Sequence, residues 1–140
     1  MNKTMVILSV DYGDVRTGIA VCDRMQMLAS PVTVINQSYE PKVIAQIDGL
    51  AKKLGAERIV VGLPKNMDGS EGERAQKCKA FAERLQEATG IETVMWDERL
   101  TTVSAHRALN VTNVTGKKRK DIVDAVSAVM ILEDYLASKK

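Results

Sequence analysis

Acidic side chains follow apolar segments at three separate points of this 140-residue chain. Asp11 ends the apolar run that begins at Met5, Asp97 and Glu98 follow a later one, and Asp124 lies near the start of the last helical pattern. A carboxylate in such a position is costly to desolvate unless a cation meets it. Mg²⁺ and Mn²⁺, which prefer oxygen ligands, suit such a set better than Zn²⁺. If the three points converge, the chemistry that they fit is metal-assisted phosphodiester cleavage.

Asp97 and Glu98 compete for one place in this set, because alternation along a strand sends their side chains to opposite faces. Glu98 reaches further, and Asp97 is a good cap for a following helix, so Glu98 is favoured and Asp97 is the alternative. Each carboxylate also has an ordinary structural explanation. Asp11 could cap a turn, the Asp97-Glu98 pair could begin a helix, and Asp124 could pair with a basic neighbour.

Basic and hydroxyl side chains near these points could bind phosphate. Residues 99–120 carry six Lys and Arg and no acidic residue, which favours a polyanion locally although the net charge is only +2. A solvated basic loop, ordinary helix capping by the threonines and an Arg16–Asp14 ion pair are the alternatives. The predicted nucleic-acid-binding residues are Arg16, Lys65, Arg99, Thr101, Thr102, Lys117, Lys118, Arg119 and Lys120.

The elements that must position these residues follow from hydrophobic periodicity and turn signals. Three strands (5–10, 18–22 and 28–35) with short connections are predicted first. A helix from Pro41 to Gly55, a strand (58–62), a helix opened by a Ser70–Glu73 capping box and closed at Gly90, and a strand (92–96) follow. A helix (100–109), a loop (110–120) and a last helix (120–137) complete the chain.

This order predicts an α/β fold with a five-stranded mixed sheet, three antiparallel strands followed by two parallel ones, and helices on both faces. Sites in such sheets form beyond the carboxyl ends of the parallel strands. If the first, fourth and fifth strands are neighbours, Asp11 and the Asp97-Glu98 pair share one edge of the sheet.

Length and composition exclude several classes of protein. With 45% hydrophobic and 27% charged residues, the chain is expected to form one globular domain spanning residues 1–140. The six-residue apolar run before Asp11 is too short for a signal peptide or a membrane span. Cys22 and Cys78 form no paired motif, which favours reduced thiols in the cytoplasm. His106 is the only histidine, which argues against a histidine-rich zinc site and a Ser-His-Asp mechanism.

Four motifs in the same order resemble those of the YqgF/RuvX family of pre-16S ribosomal RNA nucleases, also described as Holliday-junction-resolvase-like proteins. The motifs are DYGDVRTGIA (11–20), GLP (62–64) with MDGS (67–70), DERLTT (97–102) and IVDA (122–125). The resemblance implies a ribonuclease H-like fold and a metal-dependent nuclease related to the resolvase RuvC. It also implies that Asp11, Glu98 and Asp124 form an acidic triad.

The resemblance leaves the substrate and the assembly open. The implied partner is nucleic acid, either precursor 16S rRNA or branched DNA, and the small ribosomal subunit is a further candidate. A junction with two-fold character favours a homodimer, whereas an enzyme that trims RNA can act as a monomer. Two other classes compete: a non-catalytic ribosome-assembly factor, and an ATP-binding phosphotransferase, which would need a second such domain to enclose the nucleotide.

Overall fold

A five-stranded mixed sheet forms the centre of the protein. The structure, a computed structural model, describes residues 4–66, 68–98 and 116–138, with 116–124 described as helix backbone only. Within these ranges the elements are β1 (Val6–Asp11), β2 (Arg16–Cys22), β3 (Ala29–Asn36), α1 (Glu40–Leu54), β4 (Ala56–Leu63), α2 (Glu73–Thr89), β5 (Glu92–Asp97) and α3 (Gly116–Ser138). The strand order is β3-β2-β1-β4-β5. Strands β1, β2 and β3 pair antiparallel, and β1, β4 and β5 pair parallel, which confirms the predicted sheet.

The two faces of the sheet bury different helices, as the alternation of side chains along β1 shows. Leu8 and Val10 belong to the core that α1 and α2 cover, whereas Ile7 belongs to the core under α3. Ser9 points to the same side as Ile7, and its hydroxyl donates a 2.6 Å hydrogen bond to the carbonyl of Ala128 in α3. Helices therefore cover both faces, as predicted, and the side chain of Asp11 belongs to the α3 face by the same alternation.

The predicted helix ends are correct where glycine closes the helix. Gly55 and Gly90 follow α1 and α2 in the left-handed conformation, with φ of 73° and 72°, which glycine adopts without strain. The predicted capping box at Ser70 is wrong. Helix α2 begins at Glu73 after Gly72, without a side-chain cap. Ser70 donates instead to Asp68, through its backbone N–H (2.9 Å) and its hydroxyl (2.6 Å), a local turn that competes with helix formation.

The last helix begins earlier than the sequence predicts. Residues 116–120, assigned above to a loop, are the first turn of α3. Four consecutive Lys and Arg residues (117–120) follow Gly116, and both types have high helix propensity, although their positive charge opposes the helix dipole at this end. The predicted helix over 100–109 lies outside the described residues.

The described structure also bears on the cysteines and on membrane insertion. Cys22 and Cys78 are both buried and form no disulfide bond with each other. None of the described helices combines the length and the apolar surface needed to cross a membrane.

Candidate catalytic site

The carboxyl ends of β1, β4 and β5 meet at one edge of the sheet. The parallel registers place Val10 beside Val61 and Leu63 beside Asp97. Because β2 runs antiparallel to β1, and β3 antiparallel to β2, the start of β2 and the end of β3 reach the same edge. The predicted convergence of Asp11 with the end of β5 is therefore what the topology produces.

Glu98 follows β5 on the face that carries Asp11. Trp96, two residues earlier, pairs with Gly62 and packs in the core under α3, so alternation places Glu98 on that face and Asp97 on the other. The Glu98 side chain lies directly over Gly62, since a Cβ at that glycine would be only 2.7 Å from Cδ of Glu98. From there it makes a hydrogen bond with the carboxyl group of Asp11. The missing side chain at Gly62 thus leaves the space in which the two carboxyls meet.

The Asp11–Glu98 pair has the electrostatics of a cation site. Desolvation of half-buried Glu98 raises the pKa of its carboxyl, opposed by the hydrogen bond with Asp11 and by the positive charge of Arg74, while the charge of Asp97 raises it further. Two carboxyl groups this close repel each other when both are ionised. A hard divalent cation relieves that repulsion, and carboxylate oxygens are its preferred ligands. The donor set therefore fits Mg²⁺ or Mn²⁺.

The third predicted carboxylate, Asp124, lies on α3 one turn before Ala128. Ala128 and Ile131 are fully buried against the sheet, so position 124 continues the row of positions that packs on it. The side chain of Asp124 is not described, and its convergence with the pair stays a prediction. Among the described residues, no cluster of three or more Asp, Glu, His or Cys side chains has a geometry that could hold a metal ion.

Arg74, in the first turn of α2, is a residue that the sequence did not single out. It donates a hydrogen bond to the carbonyl of Tyr12, pairs with Asp14 at 2.8 Å and lies 5.5 Å from the centroid of the Tyr12 ring. Its charge also lowers the pKa of Glu98. Arg74 therefore joins α2 to the segment that follows Asp11 and offsets the acidity of the site. No local pattern marks this role, because 60 residues separate Arg74 from Asp14.

Arg74→Met should destabilise the protein by about 1–2 kcal/mol, since it removes a charge-assisted hydrogen bond to a backbone carbonyl that no neighbour replaces. Urea unfolding measures this difference. Lys77→Met is the matched control, because Lys77 also pairs with Asp14, at 2.9 Å, but through an exposed contact alone. The unfolding midpoint of Lys77→Met should stay near that of the wild type. Equal losses in both variants would contradict the role given to Arg74.

The predicted phosphate-binding residues fall into three groups. Arg16 and Lys65 lie at the edge that carries Asp11, one at the start of β2 and the other just after β4. The alternative Arg16–Asp14 ion pair is wrong, since Asp14 pairs with Arg74 and Lys77. Residues 117–120 belong to the first turns of α3. The remaining three, Arg99, Thr101 and Thr102, lie outside the described residues.

The fold is that of the RuvC-type resolvases, a ribonuclease H-like fold. The structure of Thermus thermophilus RuvC in complex with a Holliday junction substrate matches with a TM-score of 0.62 at 13% identity, covering 96% of this chain and 95% of that one. The fowlpox virus Holliday junction resolvase matches with a TM-score of 0.56 at 11% identity, covering 97% and 100%. At these identities the likeness shows the fold alone.

The chain belongs to the RuvX family. The family model described as "RuvX: Holliday junction resolvase" matches residues 5–138. Two relatives carry the name "Putative pre-16S rRNA nuclease". The one from Halothermothrix orenii is 44% identical over 132 residues, 94% of each chain. The one from Bacillus cytotoxicus is 41% identical over 137 residues, 96% of this chain and 100% of the relative. The family resemblance drawn from the motifs is thereby confirmed.

Proposed function

We propose that this protein is a Mg²⁺- or Mn²⁺-dependent nuclease that processes the 5′ end of precursor 16S rRNA in the cytoplasm. The observation that carries the proposal is the pairing of Asp11 with half-buried Glu98 at the carboxyl edge of a RuvC-like sheet. The name of the relatives, which match this chain over nearly its full length, supports precursor 16S rRNA as the substrate.

In this proposal Asp11, Glu98 and Asp124 hold the metal. When bound, the metal supplies an activated water and stabilises the leaving oxygen of the phosphodiester. Asp11 is fixed by the last residue pair of the β1–β2 ladder, opposite Gly18. Glu98 is fixed by its position over Gly62. The backbone of Asp11 belongs to the sheet, and that of Glu98 follows it directly. The two carboxylates are therefore held in place before substrate binds.

The predicted basic residues bind and orient the substrate. Arg16 and Lys65 lie on either side of β1 at the site edge, where they can contact the phosphates that flank the scissile one. Lys65 is available for this contact, because its ammonium is 3.9 Å from Glu71, whose carboxylate binds Lys79 at 2.8 Å. Residues 117–120, together with Arg99, Thr101 and Thr102, complete the proposed interface with nucleic acid.

A second candidate is cleavage of branched DNA, favoured by the description of the family model as a Holliday junction resolvase. The two candidates differ in the assembly that they require. Resolution of a junction with two-fold character is expected from a homodimer, whereas trimming of an RNA end can be carried out by a monomer.

The decisive experiment compares cleavage of a precursor 16S rRNA fragment with cleavage of a four-way DNA junction, in Mn²⁺ and in chelator. We expect Mn²⁺-dependent cleavage of the RNA by the wild type and none by Glu98→Gln. Preferential cleavage of the junction by a dimer would favour the second candidate. Cleavage of neither substrate, with salt-sensitive binding that chelator does not affect, would contradict the nuclease and indicate a non-catalytic assembly factor.

A further inference from the structure

Two large apolar side chains are exposed at the edge of the sheet that carries Asp11. Val15, in the turn between β1 and β2, is 59% exposed, and Tyr39, between β3 and α1, is 60% exposed. The two turns are neighbours, because the backbone N–H of Gln37 donates a 3.1 Å hydrogen bond to the carbonyl of Val15. Because they lie beside the proposed catalytic site, these two side chains are candidates for contact with the substrate.

Tyr39 is presented rigidly, and its ring is not needed for the fold. Its backbone N–H donates to the side-chain carbonyl of Gln37 at 3.0 Å, and its own carbonyl accepts from the N–H groups of Lys42 and Val43 at 3.0 and 3.1 Å. The residue precedes α1 but provides no side-chain cap. The other two tyrosines are both buried, Tyr12 stacked on Phe81 at 3.8 Å and Tyr135 bonded to Arg58. Tyr39 is thus the tyrosine whose ring remains accessible.

A cation accompanies this aromatic surface. Asp11 pairs with Gly18, and Arg16 lies two residues from Gly18 along β2, so Arg16 and Asp11 share a face of the sheet about 7 Å apart along the strand. Arg16 also pairs with Asn36 at the end of β3, three residues before Tyr39. In the strand order, Arg16 on β2 therefore lies between Asp11 on β1 and the end of β3, from which the chain continues to Tyr39.

Among the described residues, Arg16 forms no ion pair. Two carboxylates of the neighbouring turns are bound by other cations: Asp14 by Arg74 and Lys77, and Glu40 by both Nε and Nη2 of Arg84. Asp11 lies on the same face as Arg16, but in the proposed function it is a metal ligand. The guanidinium of Arg16 is therefore open to an anionic group brought by a partner.

We propose that Tyr39 stacks on an unpaired base of the substrate while Arg16 binds the phosphate between that base and the scissile phosphate. This inference rests on the nuclease function proposed above and narrows its substrate to nucleic acid with an unpaired nucleotide beside the cleavage point. Aromatic rings combined with cations are the usual means of binding single strands, because every base presents a π-face. Bases inside a duplex are stacked on each other and leave no such face for Tyr39.

Fluorescent 2-aminopurine, which is quenched when it stacks, tests the proposal in the Asp11→Asn background, where the substrate stays intact. The RNA carries three unpaired nucleotides beside a duplex, with 2-aminopurine at each of them in turn. We expect quenching at one position, which Tyr39→Ala abolishes while its affinity falls about tenfold, within the range of single base–aromatic stacks. Tyr39→Phe keeps the ring and should keep both signals.

Two controls make the test specific. Met27→Ala removes an apolar side chain that is 77% exposed at the opposite edge of the sheet, and it should change neither signal. A blunt duplex of equal length should bind all the variants equally. If the wild type cleaves its substrate but Tyr39→Ala changes neither the affinity nor the quenching, this inference is wrong and the proposed nuclease function still stands. If the wild type does not cleave with any metal tested, the proposed nuclease function is wrong. Quenching that depends on Tyr39 would then show that the protein binds nucleic acid without cleaving it.

Discussion

Replacement of Asp11 by asparagine should abolish cleavage and at the same time stabilise the metal-free protein. Cleavage should fall at least about 10²–10³-fold, the cost of removing a group that stabilises charge in the transition state. The amide is neutral, so it relieves the repulsion between two carboxylates at a half-buried position and can donate to Glu98. The free energy of unfolding in chelator should rise by about 1 kcal/mol, as is common where a site sacrifices stability for function. Urea unfolding and single-turnover cleavage measure the two effects.

Thermal unfolding at increasing Mn²⁺ concentration distinguishes a role of Asp11 as a metal ligand from a general effect of its substitution on the fold. Binding to the native state should raise the melting temperature of the wild type with increasing Mn²⁺, and this response should be lost in Asp11→Asn. Asp48→Asn, the same change in α1 at a carboxylate paired with Lys52, should keep the response and the cleavage rate. If Asp11→Asn cleaved at the wild-type rate and its melting temperature still rose with Mn²⁺, Asp11 would not be a metal ligand.

The fold was predictable because its strongest signals are local. Apolar runs bounded by turn residues define the five strands, and Gly55 and Gly90 end the two helices that they were expected to end. The capping box at Ser70 was wrong because two local arrangements compete for the same hydroxyl, and only the packed structure decides between them. Strand boundaries also shifted, with β2 beginning at Arg16 rather than Gly18, because pairing with β3 extends the ladder beyond the apolar residues.

The site was predictable only where residue type and strand position suffice. Asp11 could be placed at the end of β1, and the Asp97-Glu98 pair at the end of β5. The contribution of Arg74 could not be predicted, because it depends on how α2 returns across the β1–β2 turn. The same holds for Gly62, whose sequence context is an ordinary strand end and whose importance follows from the side chain that crosses it.

Gly62→Ala should inactivate the enzyme without removing any functional group. The added methyl would lie 2.7 Å from Cδ of Glu98 and 2.8 Å from Cδ1 of Ile131, closer than carbon atoms can approach. The Glu98 side chain is the more mobile neighbour, so its carboxylate should move away from Asp11. A displacement of about 1 Å at a reacting centre can cost roughly 10²-fold in rate, and we expect a loss of that size in cleavage.

Gly49→Ala provides the matched control, because a Cβ at this position of α1 has no atom within 4 Å. Alanine is the better helix former by about 0.5–1 kcal/mol, so this variant should unfold at higher urea and cleave at the wild-type rate. In Gly62→Ala the free energy of unfolding should fall by about 1–3 kcal/mol, the usual cost of overpacking, because Ile131 is fully buried, and the protein should stay folded. Inactivity of a folded Gly62→Ala protein would therefore locate the defect in the Asp11–Glu98 contact. Full activity would show that cleavage does not need Glu98 to lie over β4.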